Sequence, residues 1–378
     1  MNNTIKLAVA AALVAAASTA NAGISIPAGD WTLDIGGVVN AYYTSTKTDG
    51  VKSVNNITTG LLPNVLSFSG KTRQNDLDVA FTISIQPGAA TSKGLANYNN
   101  AAQENRQAFL TFGDASWGSI TAGRNLGIYG SDAILSDMTL LGVGVGGPAG
   151  GSSTLGRIGS GYIYADWKGQ VSYTSPNFNG FSFTGGLMEN FRPAGTVSTG
   201  IASTKDMSFE GKVAYDFTGD VAGRVWASGI SQKTQFTDGS TNYTSSGFDV
   251  GAKASAAGFG IVGYYYDGRG LDGQNVLGGL FNASGEKTND KGGYVQGTFT
   301  VPGVGTKLGA SFGESKSQSA DNGTTFDYKN ESWIVGAYHP LTKHLNLVAE
   351  YTDQKIKESV TPTQTKNKTM SLGAILFF

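Results

Sequence analysis

Two histidines, a glycine triplet and two Asp-Gly steps are the residues here whose types and spacing could do chemistry unaided. His339 and His344 both fall at a predicted short turn. A catalytic Ser-His pair needs its histidine on a wall beside a serine, and that context is missing. Gly142, Gly144 and Gly147 spell G-x-G-x-x-G. A dinucleotide site needs a strand before that motif and a helix after it. Pro148-Ala149-Gly150-Gly151 cannot open such a helix, so the motif reads as a flexible loop tip. Asp267-Gly268 and Asp272-Gly273 could touch calcium through loop oxygens. They lack the EF-hand spacing, and Asp-Gly is first a turn signal. There are 0 cysteines, hence neither a thiolate nor a disulfide framework. No cofactor or metal site is expected.

The elements that would carry any site are strands. Leu77, Val79, Phe81, Ile83 and Ile85 alternate with Asp78, Ala80, Thr82 and Ser84 until Gln86-Pro87-Gly88 stops the run. Trp31, Leu33 and Ile35 alternate with Thr32, Asp34 and Gly36. Met207, Phe209, Gly211, Val213, Tyr215 and Phe217 alternate with Ser208, Glu210, Lys212, Ala214 and Asp216. Period two means one apolar face and one polar face. At the end of the chain Met370, Leu372, Ala374, Leu376 and Phe378 form a wholly apolar set. Such a strand would leave a greasy unpaired edge in a soluble protein, but it suits a sheet closed in a bilayer, where the backbone is paired and one face meets lipid.

Composition agrees. Charged residues are 15%, against about a quarter in typical soluble domains. Glycine is 55 of 378 without a collagen period. After the first 22 residues no run approaches the ~18 apolar residues of a membrane helix. The charge balance, 27 basic against 28 acidic, leaves no basic stripe for nucleic acid. Met1 to Ala22 has Lys6, an apolar run from Leu7 to Ala17 and the small-x-small site Ala20-Asn21-Ala22, which predicts a cleaved export signal. Residues 23–378 then form a single domain.

The pattern predicts an all-β fold of sixteen antiparallel strands, closed into a transmembrane barrel. They run about 31–45, 64–73, 76–86, 104–113, 117–124, 162–175, 181–190, 207–217, 221–231, 246–256, 259–267, 291–301, 305–316, 328–338, 345–355 and 369–378, within ~2–4 residues. Short turns such as Gly113 to Ser116 alternate with long polar connections such as Thr46 to Pro63 and Glu358 to Lys368, the layout of an outer-membrane barrel. Trp31, Tyr42, Tyr43, Tyr162, Tyr173, Phe181, Tyr215, Tyr265 and Phe378 lie near strand ends and are expected in two interfacial girdles.

Several stretches resemble the general porins of Gram-negative outer membranes. Asn105-Arg106-Gln107-Ala108-Phe109 followed by Trp117-Gly118-Ser119-Ile120-Thr121-Ala122-Gly123-Arg124-Asn125 is similar to that family's fourth and fifth strands. Ser175-Pro176-Asn177-Phe178-Asn179-Gly180 is similar to its turn after the sixth strand, and the terminal Phe378 matches its ending. The resemblance implies a homotrimer of sixteen-stranded barrels set in outer-membrane lipid and lipopolysaccharide. It implies a wet pore in each subunit, open to small hydrophilic solutes and ions. It also implies that the third long loop, Asn125 to about Gly161, folds inward. Asp132 and Asp137 would form the acidic side of a constriction, with Arg106, Arg124 and Lys168 as basic residues on the wall. Val65 stands where the family often carries an arginine. Ala108, Leu110 and Phe112 share the parity of Arg106 and are expected to face the inserted loop. Other readings are a substrate-selective channel, with Tyr264 and Tyr266 lining the bore, a non-conducting adhesin or anchor, and an outer-membrane hydrolase.

Overall fold

The computed structural model describes residues 23–90, 103–146, 153–190, 206–235, 242–271, 288–321, 324–359 and 363–378. The predicted signal, residues 1–22, lies outside them, as do Asp272, Gly273 and Gly147. The first strands are β1 (Ile24–Ala28), β2 (Trp31–Thr48), β3 (Val54–Thr58), β4 (Val65–Gln74), β5 (Leu77–Pro87), β6 (Gln103–Asp114) and β7 (Gly118–Leu126). After a long connection come β8 (Trp167–Thr174), β9 (Phe181–Met188), β10 (Ser208–Phe217), β11 (Ala222–Gln235), β12 (Asn242–Ala256) and β13 (Phe259–Arg269). The last are β14 (Asn289–Thr300), β15 (Lys307–Asp321), β16 (Thr324–Pro340), β17 (Leu345–Glu358) and β18 (Thr363–Phe377).

Each strand pairs antiparallel with the next, and β18 returns to β2 with Phe377 opposite Val38 and Asn367 opposite Thr48. The sheet therefore has no open side, which removes the edges that an isolated strand would expose. Two short segments account for the difference between eighteen strands and sixteen staves. The lower half of β2 pairs with β1, Ile24 opposite Ile35, just beyond the point where β18 stops. Gly37 and Phe378 exchange backbone hydrogen bonds of 2.7 and 3.0 Å at this junction. On its other side β2 pairs with β3 above and β4 below. Asn40 fills the gap between them, donating to the Leu62 carbonyl and accepting from the Gly60 N–H. The architecture is the sixteen-stranded barrel expected.

The outward parity is apolar, as the alternation requires. Val39, Ile83, Leu187, Phe209, Leu372 and Leu376 are exposed on it, and the neighbouring Asn40, Ser84, Met188, Ser208, Ser371 and Ile375 face inward and are buried. Several strands run further than hydropathy indicates. β17 ends at Glu358 and β18 begins at Thr363, so most of the expected Glu358–Lys368 loop is paired strand. Likewise Thr46 to Pro63 contains the end of β2 and all of β3. Beyond the apolar band both strand faces are polar, so alternation fades although the backbone still pairs.

Two further expectations are corrected. Tyr42 and Tyr162 face the interior and are buried, so they are not girdle residues, whereas Tyr43, Phe181, Tyr215 and Tyr265 are exposed outside. The strand expected from Tyr162 begins at Trp167, and residues 162–166 finish the preceding loop.

Candidate functional site

The described parts of the connection between β7 and β8, residues 127–146 and 153–166, lie inside the barrel. It carries helix α1 (Ser131–Ser136) and a 3-10 turn at Met138–Leu141. A loop buried in a barrel must satisfy its backbone polar groups there. Wall carboxylates do much of this. Glu210 of β10 accepts from the N–H groups of Ile128 and Tyr129, at 2.7 and 2.8 Å. Asp249 of β12 accepts from the Gly130 N–H at 3.0 Å. Glu350 of β17 accepts from Val143 N–H and Gly144 N–H, both at 2.8 Å, and from the Tyr338 hydroxyl at 2.7 Å. Gly142 permits this approach, because a Cβ there would lie 2.1 Å from Glu350 Oε1. At Val143 and Gly144 the chemistry is thus docking of backbone N–H onto a carboxylate.

Other contacts continue around the same wall. Tyr294 of β14 donates to the Ala133 carbonyl, and Gln296 accepts from the Met138 N–H. Arg157, fully buried, donates from Nε to Ser311 Oγ of β15 at 2.6 Å and from Nη1 to Ser332 Oγ of β16 at 3.0 Å. Burial pulls the Arg157 guanidinium below its ordinary range. Tyr42 of β2 donates to the Leu141 carbonyl. These anchors fall on the arc from β10 round to β2. Opposite, on β4 to β9, the inward residues are chiefly hydroxyls and amides: Ser67, Ser69, Thr82, Thr111, Thr121, Gln170, Ser172 and Thr184. The loop is therefore fastened to one side of the bore and faces a wall of mostly hydroxyl and amide side chains across it, with Arg106 of β6 also on that inner side.

The five sequence-predicted residues separate. Asp132 lies on α1 and is held by Lys212 of β10 at 2.6 Å and Arg224 of β11 at 3.0 Å. Burial disfavours its charge, but the two cations outweigh burial and hold the carboxyl below the usual carboxylate range. Asp137 is buried within the loop, accepting from the Thr139 N–H at 3.0 Å and the Tyr162 hydroxyl at 2.8 Å. Lys168 is buried in an ion pair with Glu210, so it strengthens a loop anchor. Arg106 faces inward, with Nη2 donating to Ser153 of the loop at 3.3 Å and Nε paired to Glu104 at 2.8 Å. Arg124 does not join them. It is exposed, directly opposite Ala108, and shares the outward parity of Leu110 and Ala122.

A bulge explains β6. The register with β5 slips between Ser84 and Gln86, so the parity of β6 changes beside Arg106. Arg106, Gln107, Phe109 and Thr111 are all buried on the inner side, while Leu110 is 46% exposed outside. Ala108 and Leu110 therefore do not pack on the loop as expected. The bulge also separates Arg106 from Arg124, which strict alternation would place on one face. The wall acids Glu210, Asp249 and Glu350 were not anticipated. Their available signal was an acid on the inward parity of an otherwise hydroxyl-rich or small-residue strand.

His339 Nδ1 lies 2.9 Å from the Thr306 hydroxyl at the turn end of β16. Asp267 accepts from the Tyr265 hydroxyl at 3.1 Å. Among the described residues no group of three His, Cys, Asp or Glu side chains could hold a metal.

A family model for Gram-negative porins matches residues 8–359. The chain belongs to that family. The porin resembles solved outer-membrane channels over nearly all its length. Against the anion-selective porin of Comamonas acidovorans the identity is 15%, with 92% of this chain and 100% of that one covered and a TM-score of 0.65. For Salmonella typhi OmpF in complex with daunomycin the values are 19%, 94%, 100% and 0.66. For the outer membrane channel DcaP of Acinetobacter baumannii they are 16%, 94%, 100% and 0.70. A search of curated proteins finds no match. The porin is thus an outer-membrane channel for passive diffusion.

Proposed function

We propose that ions and small hydrophilic solutes pass between the inserted loop and the β4–β9 wall. The observation that carries this is the one-sided anchoring of the loop. Asp132, Asp137 and Lys168 set the width of the passage by holding the loop in place. Arg106 is the member of the predicted set that borders the passage, beside Ser153. Hydroxyl and amide groups on the facing wall replace water contacts, and Arg106 adds one positive charge among them, which suits a general hydrophilic pore. Tyr264 and Tyr266 are covered, at 6% and 0% exposure, which does not favour a substrate-selective aromatic track.

Arg106→Ala should move the reversal potential in a salt gradient toward cations. An unchanged potential would place Arg106 outside the conducting path. The porin has no catalytic role in this reading, and residues 1–22 direct export and are removed. It assembles as a homotrimer within lipid and lipopolysaccharide, as a Vibrio cholerae relative with 15% identity is described in a trimer form. Its mass in detergent should equal three chains, and a single-chain mass would reject the trimer.

A further inference from the structure

A second charged cluster lies on the inner wall beneath α1, away from Arg106. Lys212 of β10, Arg224 of β11 and Lys253 of β12 share the inward parity of neighbouring strands. Arg224 stands directly opposite Lys253 in the β11–β12 pairing. Like charges directly opposite one another in a sheet are destabilising unless something compensates them. Two acids face the cluster: Asp132 from α1, and Asp216 of β10. Asp132 takes Lys212 and Arg224, and Asp216 takes Arg224 Nη1 at 3.2 Å. The Lys253 ammonium makes no hydrogen bond or ion pair among the described residues, so three cations meet two acids. Beside it is a cleft of about 410 Å³ whose lining includes Asp216, Arg224, Lys253, Ser255 and Thr298 alongside apolar Ile261 and Val262.

We propose that this cleft binds a small oxyanion, the phosphate or carboxylate group of a solute in transit. Lys253 supplies a cation with no direct ion-pair partner, Arg224 supplies planar donors, and the Ser255 and Thr298 hydroxyls add hydrogen-bonding groups to the lining. Asp132 competes with the anion for Arg224, which keeps binding weak enough for release, as a conducting site requires. The inference deepens the passive-diffusion reading, but binding itself does not depend on conductance.

The test is equilibrium binding of radiolabelled inorganic phosphate to the detergent-purified, folded porin at low ionic strength. Wild type should bind saturably. Lys253→Gln should raise the dissociation constant about tenfold, the effect of losing one charged contact. Lys307→Gln, removing an inward lysine that lies 5.7 Å from the Tyr338 ring, should leave it unchanged. Phosphate should also lower potassium chloride conductance saturably in wild type, with the same tenfold displacement in Lys253→Gln. Equal phosphate binding by wild type and Lys253→Gln, or no saturable binding, would overturn the proposal. Channels that open while phosphate fails to bind would leave the pore reading intact.

Discussion

Glu350→Ala should release the inserted loop from β17. Glu350 is buried and accepts three hydrogen bonds, two of them from consecutive loop N–H groups. Removing it leaves Val143 N–H, Gly144 N–H and the Tyr338 hydroxyl without that acceptor in a covered site. The expected cost is roughly 3 kcal/mol, set by desolvated polar groups more than by the lost bonds themselves. That corresponds to on the order of 100-fold more frequent local opening. Hydrogen exchange at Val143 and Gly144 should accelerate by that factor, and single-channel current should become noisier as the loop samples detached positions. Glu350→Gln retains one oxygen acceptor and should fall between wild type and Glu350→Ala. Exchange that stays slow in Glu350→Ala would mean the remaining anchors, Arg157 and Glu210 among them, hold the loop alone.

The second large effect concerns the outer skin. Leu372 lies mid-strand on β18 and is 47% exposed on the lipid-facing parity. Leu372→Arg should lose about 2–4 kcal/mol of folding free energy in lipid vesicles, the cost of a cation near the bilayer midplane on a barrel exterior. Gln364 has the same parity but lies beyond Lys366 and Lys368, towards the polar end of the strand. Gln364→Arg should cost less than about 1 kcal/mol, because the penalty falls towards the interface. Denaturant titration of folded protein in vesicles reads both. Equal losses at the two positions would contradict the assigned depth of β18.

The outer skin was legible because lipid imposes one requirement on every outward position. Met370, Leu372 and Leu376 in β18, and Phe209, Val213 and Tyr215 in β10, lie on the outward face that alternation assigns them. Alternation failed where one extra residue resets it. The β6 bulge placed Arg106 inside and Arg124 outside, and nothing in the composition of that strand marks the slip. The loop acids were legible as residues but not as partners. Asp137 meets Tyr162 within its own loop, and Asp132 meets Lys212 and Arg224 from two later strands. Such pairings depend on where the loop lies in the bore, which the long-range register sets. Polar strand ends escaped for a different reason: above the apolar band both faces meet water or headgroups, so pairing leaves no hydropathy signature.

The absence of native cysteine makes the position of the passage directly measurable. Single cysteines would be placed at Ser67 and Thr184 on the β4–β9 wall, and at Ser315 on the loop-covered wall, where Gly161 N–H donates to the serine hydroxyl at 3.1 Å. A charged, membrane-impermeant thiol reagent would then be added to channels open in planar bilayers. The account predicts a stepwise fall in conductance for Ser67→Cys and Thr184→Cys, and no change for Ser315→Cys. Block at Ser315→Cys with the other two untouched would place the passage on the opposite side of the loop and contradict it.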